Sequence, residues 1–209
     1  LPIHDISQVI KLNKMANNCW NHVVFNGDTA QLKKLHEKFQ SYNKTNYFTE
    51  FGDFVLGIGK IGDTTEVLEK RHKDAYYTYG TKWWEFDLDD HEEGAEDFTI
   101  AGDSAWSPPI NLVERICMVY NLTAQMEYEE MGMNFAGYVE FNNLGITTNR
   151  EMSADEYAYE NDVSNWIENT KWQYEGESME DVDVKEEHSY ASPKHIKELL
   201  EAINEFKTI

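Results

Sequence analysis

Cysteine is nearly missing from this chain. Cys19 and Cys117 are the only two in 209 residues. They stand far apart and in no metal-ligand spacing, which excludes a disulfide scaffold or a zinc cluster as the organising device. Both are expected as small buried hydrophobes in a reducing, cytoplasmic setting. No apolar run approaches the roughly 18 residues that a membrane span requires. The N-terminus also lacks the charged-then-apolar order of a secretory signal. Proline numbers 4, and three of these, Pro108, Pro109 and Pro193, sit where helices are expected to begin.

The most consequential scarcity is of positive charge in one region. Residues 81–187 hold 27 acidic and 5 basic side chains, whereas residues 1–80 hold 9 acidic and 10 basic ones. The last 22 residues hold 3 of each, and the whole chain carries a formal charge of −21. Such a field repels nucleic acid and anionic membrane and attracts basic surfaces. The proteins richest in basic surfaces are those that bind nucleic acid. Aromatic residues make up 13% of the chain, too many for a disordered acidic tail. The acidity is therefore expected on a folded body.

Residues 1–14 read as an N-terminal extension, with Met15 as a natural start. Trp20 to Phe25 reads as a strand. Asp28 caps a helix, with Gln31 at the reciprocal position and Leu32, Leu35 and Phe39 as its apolar stripe. Phe54 to Ile58 reads as a strand, and Thr64 to Lys73 as a short helix. Thr81 to Leu88 and Phe98 to Ala101 form a hairpin around the acidic turn Asp89 to Gly94. Ser107-Pro108-Pro109 starts a second helix, with Ser107 as cap and Leu112, Val113, Ile116, Cys117 and Tyr120 as its stripe. Strands Thr123 to Glu129 and Phe135 to Phe141 follow. The order is β, α, β, β, α, β with one added strand. The expected class is α+β: a ferredoxin-like antiparallel sheet with two helices on one face, residues 15–145.

Residues 146–209 read as an acidic C-terminal extension of mixed α/β character. Ser153 with Glu156 makes a capping box before the helical positions Val163, Trp166 and Ile167. Trp172 and Tyr174 read as a short strand, and residues 175–189 as a mobile acidic stretch. Ser192-Pro193 opens a final helix with the face Ile196, Leu199, Leu200, Ile203 and Phe206, expected to dock back on the body.

Several of these segments match a known pattern. They are Met15-Ala16-Asn17-Asn18-Cys19 with Asn21, Tyr79-Gly80-Thr81-Lys82-Trp83, and Gly102-Asp103-Ser104-Ala105-Trp106-Ser107-Pro108-Pro109. Tyr128-Glu129-Glu130 with Gly132 and Phe135-Ala136-Gly137 completes the set. Over roughly residues 15–142 the chain resembles the YubB ferredoxin-like domain family of plasmid and phage proteins. The resemblance implies a mobile-element origin and a ferredoxin-like fold, and it carries over no catalytic role.

The chemical candidates are few. Gly57-Ile58-Gly59-Lys60-Ile61-Gly62 has dinucleotide-binding spacing, with Asp87 where a ribose-binding acid is sought. All three glycines precede the helix cap at Asp63-Thr64, so the segment reads as a loop. The acidic turn lacks the glycine and closing glutamate of a calcium loop. The seven histidines are scattered, and His36 reads as a boundary residue. Trp83 and Trp84 point to opposite faces of their strand, so one of them is expected in the core. The other tryptophans read as core by default, and Trp106 as fixing the loop into the second helix. Neither a metal, a cofactor nor a catalytic group is expected.

The surface expected to meet a partner comprises Asp87, Asp89, Asp90, Glu92, Glu93, Glu96, Asp97, Glu127, Glu129 and Glu130. The expected partner is a basic host protein, one that binds nucleic acid, with no direct contact to nucleic acid or membrane. The leading functional expectation is an acidic binding protein, not an enzyme, that inhibits a nucleic-acid-handling defence complex by mimicking nucleic acid. The alternative is a nucleotide or small-molecule-binding module, resting on the glycine-rich segment. A third reading gives the acidity no specific task. Oligomeric state is left open.

Overall fold

A computed structural model describes residues 17–41, 48–57, 75–88, 94–174 and 184–206. The chain divides into two compact units, Leu1–Glu151 and Met152–Ile209.

The first unit is built on β1 (Asn18–Asn26), β2 (Trp84–Leu88), β3 (Asp97–Ala105), β4 (Thr123–Glu130), β5 (Phe135–Asn142) and β6 (Gly145–Met152). Their order across the sheet is β2-β3-β1-β4-β5-β6. β1 runs antiparallel to both β3 and β4, and β2 and β5 flank them antiparallel. The first four strands thus have the ferredoxin-like arrangement, extended on the β4 side by two more. β6 extends the sheet past the end of the resemblance. Its residues between Gly145 and Met152 are all exposed, so it carries no buried alternation to mark it as a strand.

Helix α1 (Thr29–Gln40) starts at Asp28, whose carboxylate accepts from the amides of Ala30 and Gln31. Leu32, Leu35 and Phe39 are buried as their spacing requires, and so is His36, which sequence placed at the boundary. His36 is held there by an edge-on contact with the Phe98 ring, centroids 5.5 Å apart. Phe39 lies at the centre of an aromatic cluster, with Phe25, Phe51, Trp84, Phe86 and Phe98 all within 6.5 Å between ring centroids. Offset and edge-on rings of this kind add about 0.5–1.5 kcal/mol per pair beyond their burial.

Phe54 to Leu56 is helical rather than the expected strand: α2 spans Phe48–Leu56. Phe51, Gly52, Val55 and Leu56 are buried while Phe54 is exposed, a spacing of four that suits one face of a helix. Lys38 of α1 closes the C-terminal end of α2. Its Nζ donates to the Phe54 carbonyl at 2.9 Å and sits 4.2 Å from the centroid of the Phe54 ring. The expected helix 64–73 and the glycine-rich segment after Gly57 lie outside the described residues.

Helix α3 (Ile110–Tyr120) begins two residues later than expected. Ser107 does not cap it: its hydroxyl donates to the Gly80 carbonyl at 2.5 Å. Pro109 occupies the cap position without a side-chain bond. The stripe Leu112, Val113, Ile116, Cys117 and Tyr120 is buried. The hydroxyl of Tyr120 reaches the Val55 carbonyl at 2.6 Å, tying α3 to α2.

Close strand pairing requires glycine at Gly102. A Cβ on Gly102 of β3 would lie 2.1 Å from the Glu85 carbonyl oxygen and 2.6 Å from the Phe86 Cα of β2. The two strands pair closely because that side chain is missing.

The second unit is helical over its described residues. It comprises α4 (Ala154–Asn161), α5 (Val163–Thr170), a 3₁₀ turn (Lys171–Tyr174), α6 (Val184–Glu187) and α7 (Pro193–Phe206). Residues 146–209, read as an extension of mixed α/β character, hold β6 followed by these helices. Trp172 and Tyr174 belong to the 3₁₀ turn, not to a strand. Residues 184–187, expected as part of a mobile stretch, form α6, and His188 beyond them is buried. Ser153 caps α4 by accepting from the Glu156 amide. Ile196, Leu199 and Ile203 of α7 bury against Trp166, Tyr174, Val184 and Ala191, so the helix has a core within its own unit.

Among the described residues no helix is long and apolar enough to cross a membrane.

Candidate functional site

Side chains alternate across a strand, so β1, β3 and β4 each have one side under the helices and an opposite, less buried side. Cys19, Asn21, Val23 and Phe25 of β1 are buried on the helix side, as are Phe98, Ile100 and Ser104 of β3 and Ala124, Met126 and Tyr128 of β4. The helix side is not wholly apolar. The amide of Asn21 donates to the Ser104 hydroxyl at 2.9 Å and to the Cys19 carbonyl at 2.6 Å, joining β1 to β3.

The open side is different in kind. Register places Glu85 of β2, Asp103 of β3, Trp20 of β1 and Glu129 of β4 in one row across four strands. The next row is Asp87, Ala101, His22, Glu127 and Tyr138. Glu140 of β5 and Asp97 of β3 stand further along the same side. Seven carboxylates therefore share the open side of β1–β5, and those five strands contain no lysine or arginine. Glu85, Asp87 and Asp97 are exposed, and the other four are half-buried. Exposed Lys33 and Lys34 lie on α1, which packs on β3.

At the centre of the open side sits an aromatic pair. Trp20 stacks on His22 with ring centroids 6.0 Å apart and planes 6° from parallel, and Trp20 remains 40% exposed. Sequence reasoning placed Trp20 in the core by default. The strand alternation that buries Cys19 and Asn21 sends Trp20 the other way.

The carboxylates differ in their surroundings. Burial pushes the Glu129 carboxyl above the usual carboxylate range. Glu140 goes the other way: the Tyr138 hydroxyl donates to it at 2.5 Å and the Thr148 hydroxyl at 2.8 Å, and these bonds lower its pKa. The same bond raises the Tyr138 phenol to about 12. Asp103 accepts from the Asn18 amide at 3.4 Å.

Of the expected partner-binding residues, Asp87, Asp97, Glu127 and Glu129 fall on this open side. Glu96 is exposed just before β3, and its carbonyl accepts from the Gly27 amide at 3.1 Å. Asp89, Asp90, Glu92 and Glu93 lie outside the described residues. Glu130 is a correction. It ends β4 on the helix side, is 2% exposed, and accepts from the amides of Gly132 and Met133. Its carboxylate closes the turn into β5 and is not presented to a partner. Sequence reasoning missed Glu85, Asp103, Glu140, Trp20 and His22. Alternation within each strand could have put them on one side, but only the pairing register brings them into rows.

Among the described residues no group of three or more histidine, cysteine, aspartate or glutamate side chains is arranged to hold a metal ion. What the open side can do chemically is receive cations.

The fold is that of a ferredoxin-like α+β protein with a carboxylate-bearing sheet face. Residues 78–171 match the family model described as a ferredoxin-like domain in Api92-like protein. That match begins just before β2, runs beyond the sheet into α4 and α5, and carries the Api92-like name in place of the YubB family expected from the motifs. Among solved structures the chain is similar to the crystal structure of a protein api92 from Yersinia pseudotuberculosis, at 8% identity and a TM-score of 0.41, covering 66% of this chain and 99% of that one. The comparison with curated proteins gave no match.

Proposed function

We propose that this chain is a non-catalytic binding protein of mobile-element origin that inhibits a nucleic-acid-handling defence complex of its host. It does so by presenting carboxylates to a basic surface that otherwise holds DNA or RNA. The observation that carries this reading is the open side of the sheet, with seven carboxylates and no lysine or arginine on β1–β5. Like charges placed this closely repel one another, so they burden the isolated fold and are relieved when a cationic partner arrives. Charge complementarity of this sort speeds association and selects against acidic partners. It also disfavours nucleic acid and anionic membrane as direct ligands. The protein would act in the host cytoplasm, where such complexes work.

The test is competition. The full chain is used as bait in host lysate at low salt, and captured proteins are challenged with DNA. Capture of nucleic-acid-binding proteins that DNA displaces, lost in a variant carrying Glu85→Gln, Asp87→Asn, Asp103→Asn and Glu127→Gln, is the expected result. Recovery of no nucleic-acid-binding protein, or equal recovery by that variant, overturns the reading.

A further inference from the structure

We infer that the exposed Trp20 ring, with Asp103 on one side and Glu129 on the other, is a receptor for an arginine side chain of a protein partner. This rests on the open sheet side being the partner surface and names the group that docks at its centre.

Trp20 pairs with Asp103 across β1–β3 and with Glu129 across β1–β4, so both carboxylates are its direct lateral neighbours. Neighbouring strands lie about 4.8 Å apart, which puts each carboxylate within reach of a group resting on the indole. Glu85 pairs with Asp103 and extends the row. His22 stacks parallel to the indole and fixes its plane.

Three ligand classes can be weighed against this arrangement. A metal ion needs oxygens about 2.3–2.6 Å from one point, whereas Asp103 and Glu129 stand on strands about 10 Å apart with an indole between them. A nucleic acid would bring phosphates onto a row of carboxylates. A guanidinium answers every feature: it is planar, stacks on an aromatic face, and donates from its edge to carboxylates. A lysine ammonium is a compact, strongly hydrated charge that gains less from the ring.

The full chain is titrated calorimetrically with an oligo-arginine peptide and an oligo-lysine peptide of equal length. The wild type is expected to bind the arginine peptide at least about threefold more tightly than the lysine peptide. Trp20→Leu is expected to abolish that preference while leaving salt-dependent binding of both peptides. Trp20→Phe is expected to keep part of the preference, and Asp103→Asn with Glu129→Gln to weaken both peptides. Equal binding of the two peptides by wild type, or a preference that survives Trp20→Leu, overturns the arginine receptor while the broader acidic-surface reading stands. Binding of neither peptide by wild type at low salt overturns both.

Discussion

Nε2 of His188 lies 2.7 Å from the hydroxyl of Tyr174, and its Nδ1 lies 3.0 Å from that of Tyr190. The ring is 4% exposed and meets the Trp166 indole edge-on, with centroids 5.5 Å apart. Burial lowers its pKa below the ordinary 6.5, and this outweighs the opposing pull of Asp155 and Glu187. A histidine whose folded pKa is depressed takes up its proton more readily when unfolded. The C-terminal unit should therefore hold its full stability above about pH 6.5 and lose part of it as pH falls toward the folded pKa. Thermal melts of the intact chain between pH 7.5 and 5.5, compared with His188→Gln, check this. The variant is expected to be less stable at neutral pH and to show a shallower decline with acid. A parallel decline in both proteins would remove His188 as the cause.

Glu130 and Glu129 are neighbours with opposite surroundings. Glu130→Ala should cost about 2 kcal/mol, because two backbone amides of the turn lose their buried charged acceptor. Glu129→Gln should change stability by less than about 0.5 kcal/mol, or raise it, because a half-buried charge is removed from an acidic row. Urea unfolding midpoints of the two variants decide it. Equal midpoints would contradict the assignment of Glu130 to the turn.

The carboxylates of the open side repel one another through solvent, so added salt should stabilise the wild type. The variant with Glu85, Asp87, Asp103 and Glu127 neutralised should melt higher at low salt and respond less to salt. A melting temperature that does not move with ionic strength in either protein would mean that the charges do not act as a group.

Cys19 and Cys117 are free, fully buried, and have thiol pKa values raised to about 12 by burial. At neutral pH neither is a thiolate, and neither is accessible. Alkylating reagents should leave both unmodified in the native chain and modify both in denaturant, read by mass spectrometry. Rapid labelling of the native protein would place a thiol at the surface.

Much of the first unit could be read from sequence because its signals are local. The Asp28 cap, the α1 stripe ending at Phe39, and the alternation in β1 each depend on a few adjacent residues. The failures have equally physical causes. Phe54 to Leu56 has strand composition, yet its neighbours Phe51 and Gly52 complete a helical face that packs under Tyr79. Ser107 carries a cap signature, but the Gly80 carbonyl claims its hydroxyl first. Trp172 and Tyr174 alternate as a strand would, yet Tyr174 turns inward to bond Glu187 and His188 across the helical unit.

The sequence by itself determined that this protein is acidic, that the acidity is confined to one stretch of chain, and that the elements follow in ferredoxin-like order. These are sums and local periodicities, and they need no knowledge of what touches what. Tertiary structure alone decided which carboxylates stand together. Glu85, Asp103 and Glu129 come from three strands and stand in one row with Trp20 only because strand pairing brings distant segments into register. One residue of slip in any of those strands would turn its charges toward the helices, and the rows would not form.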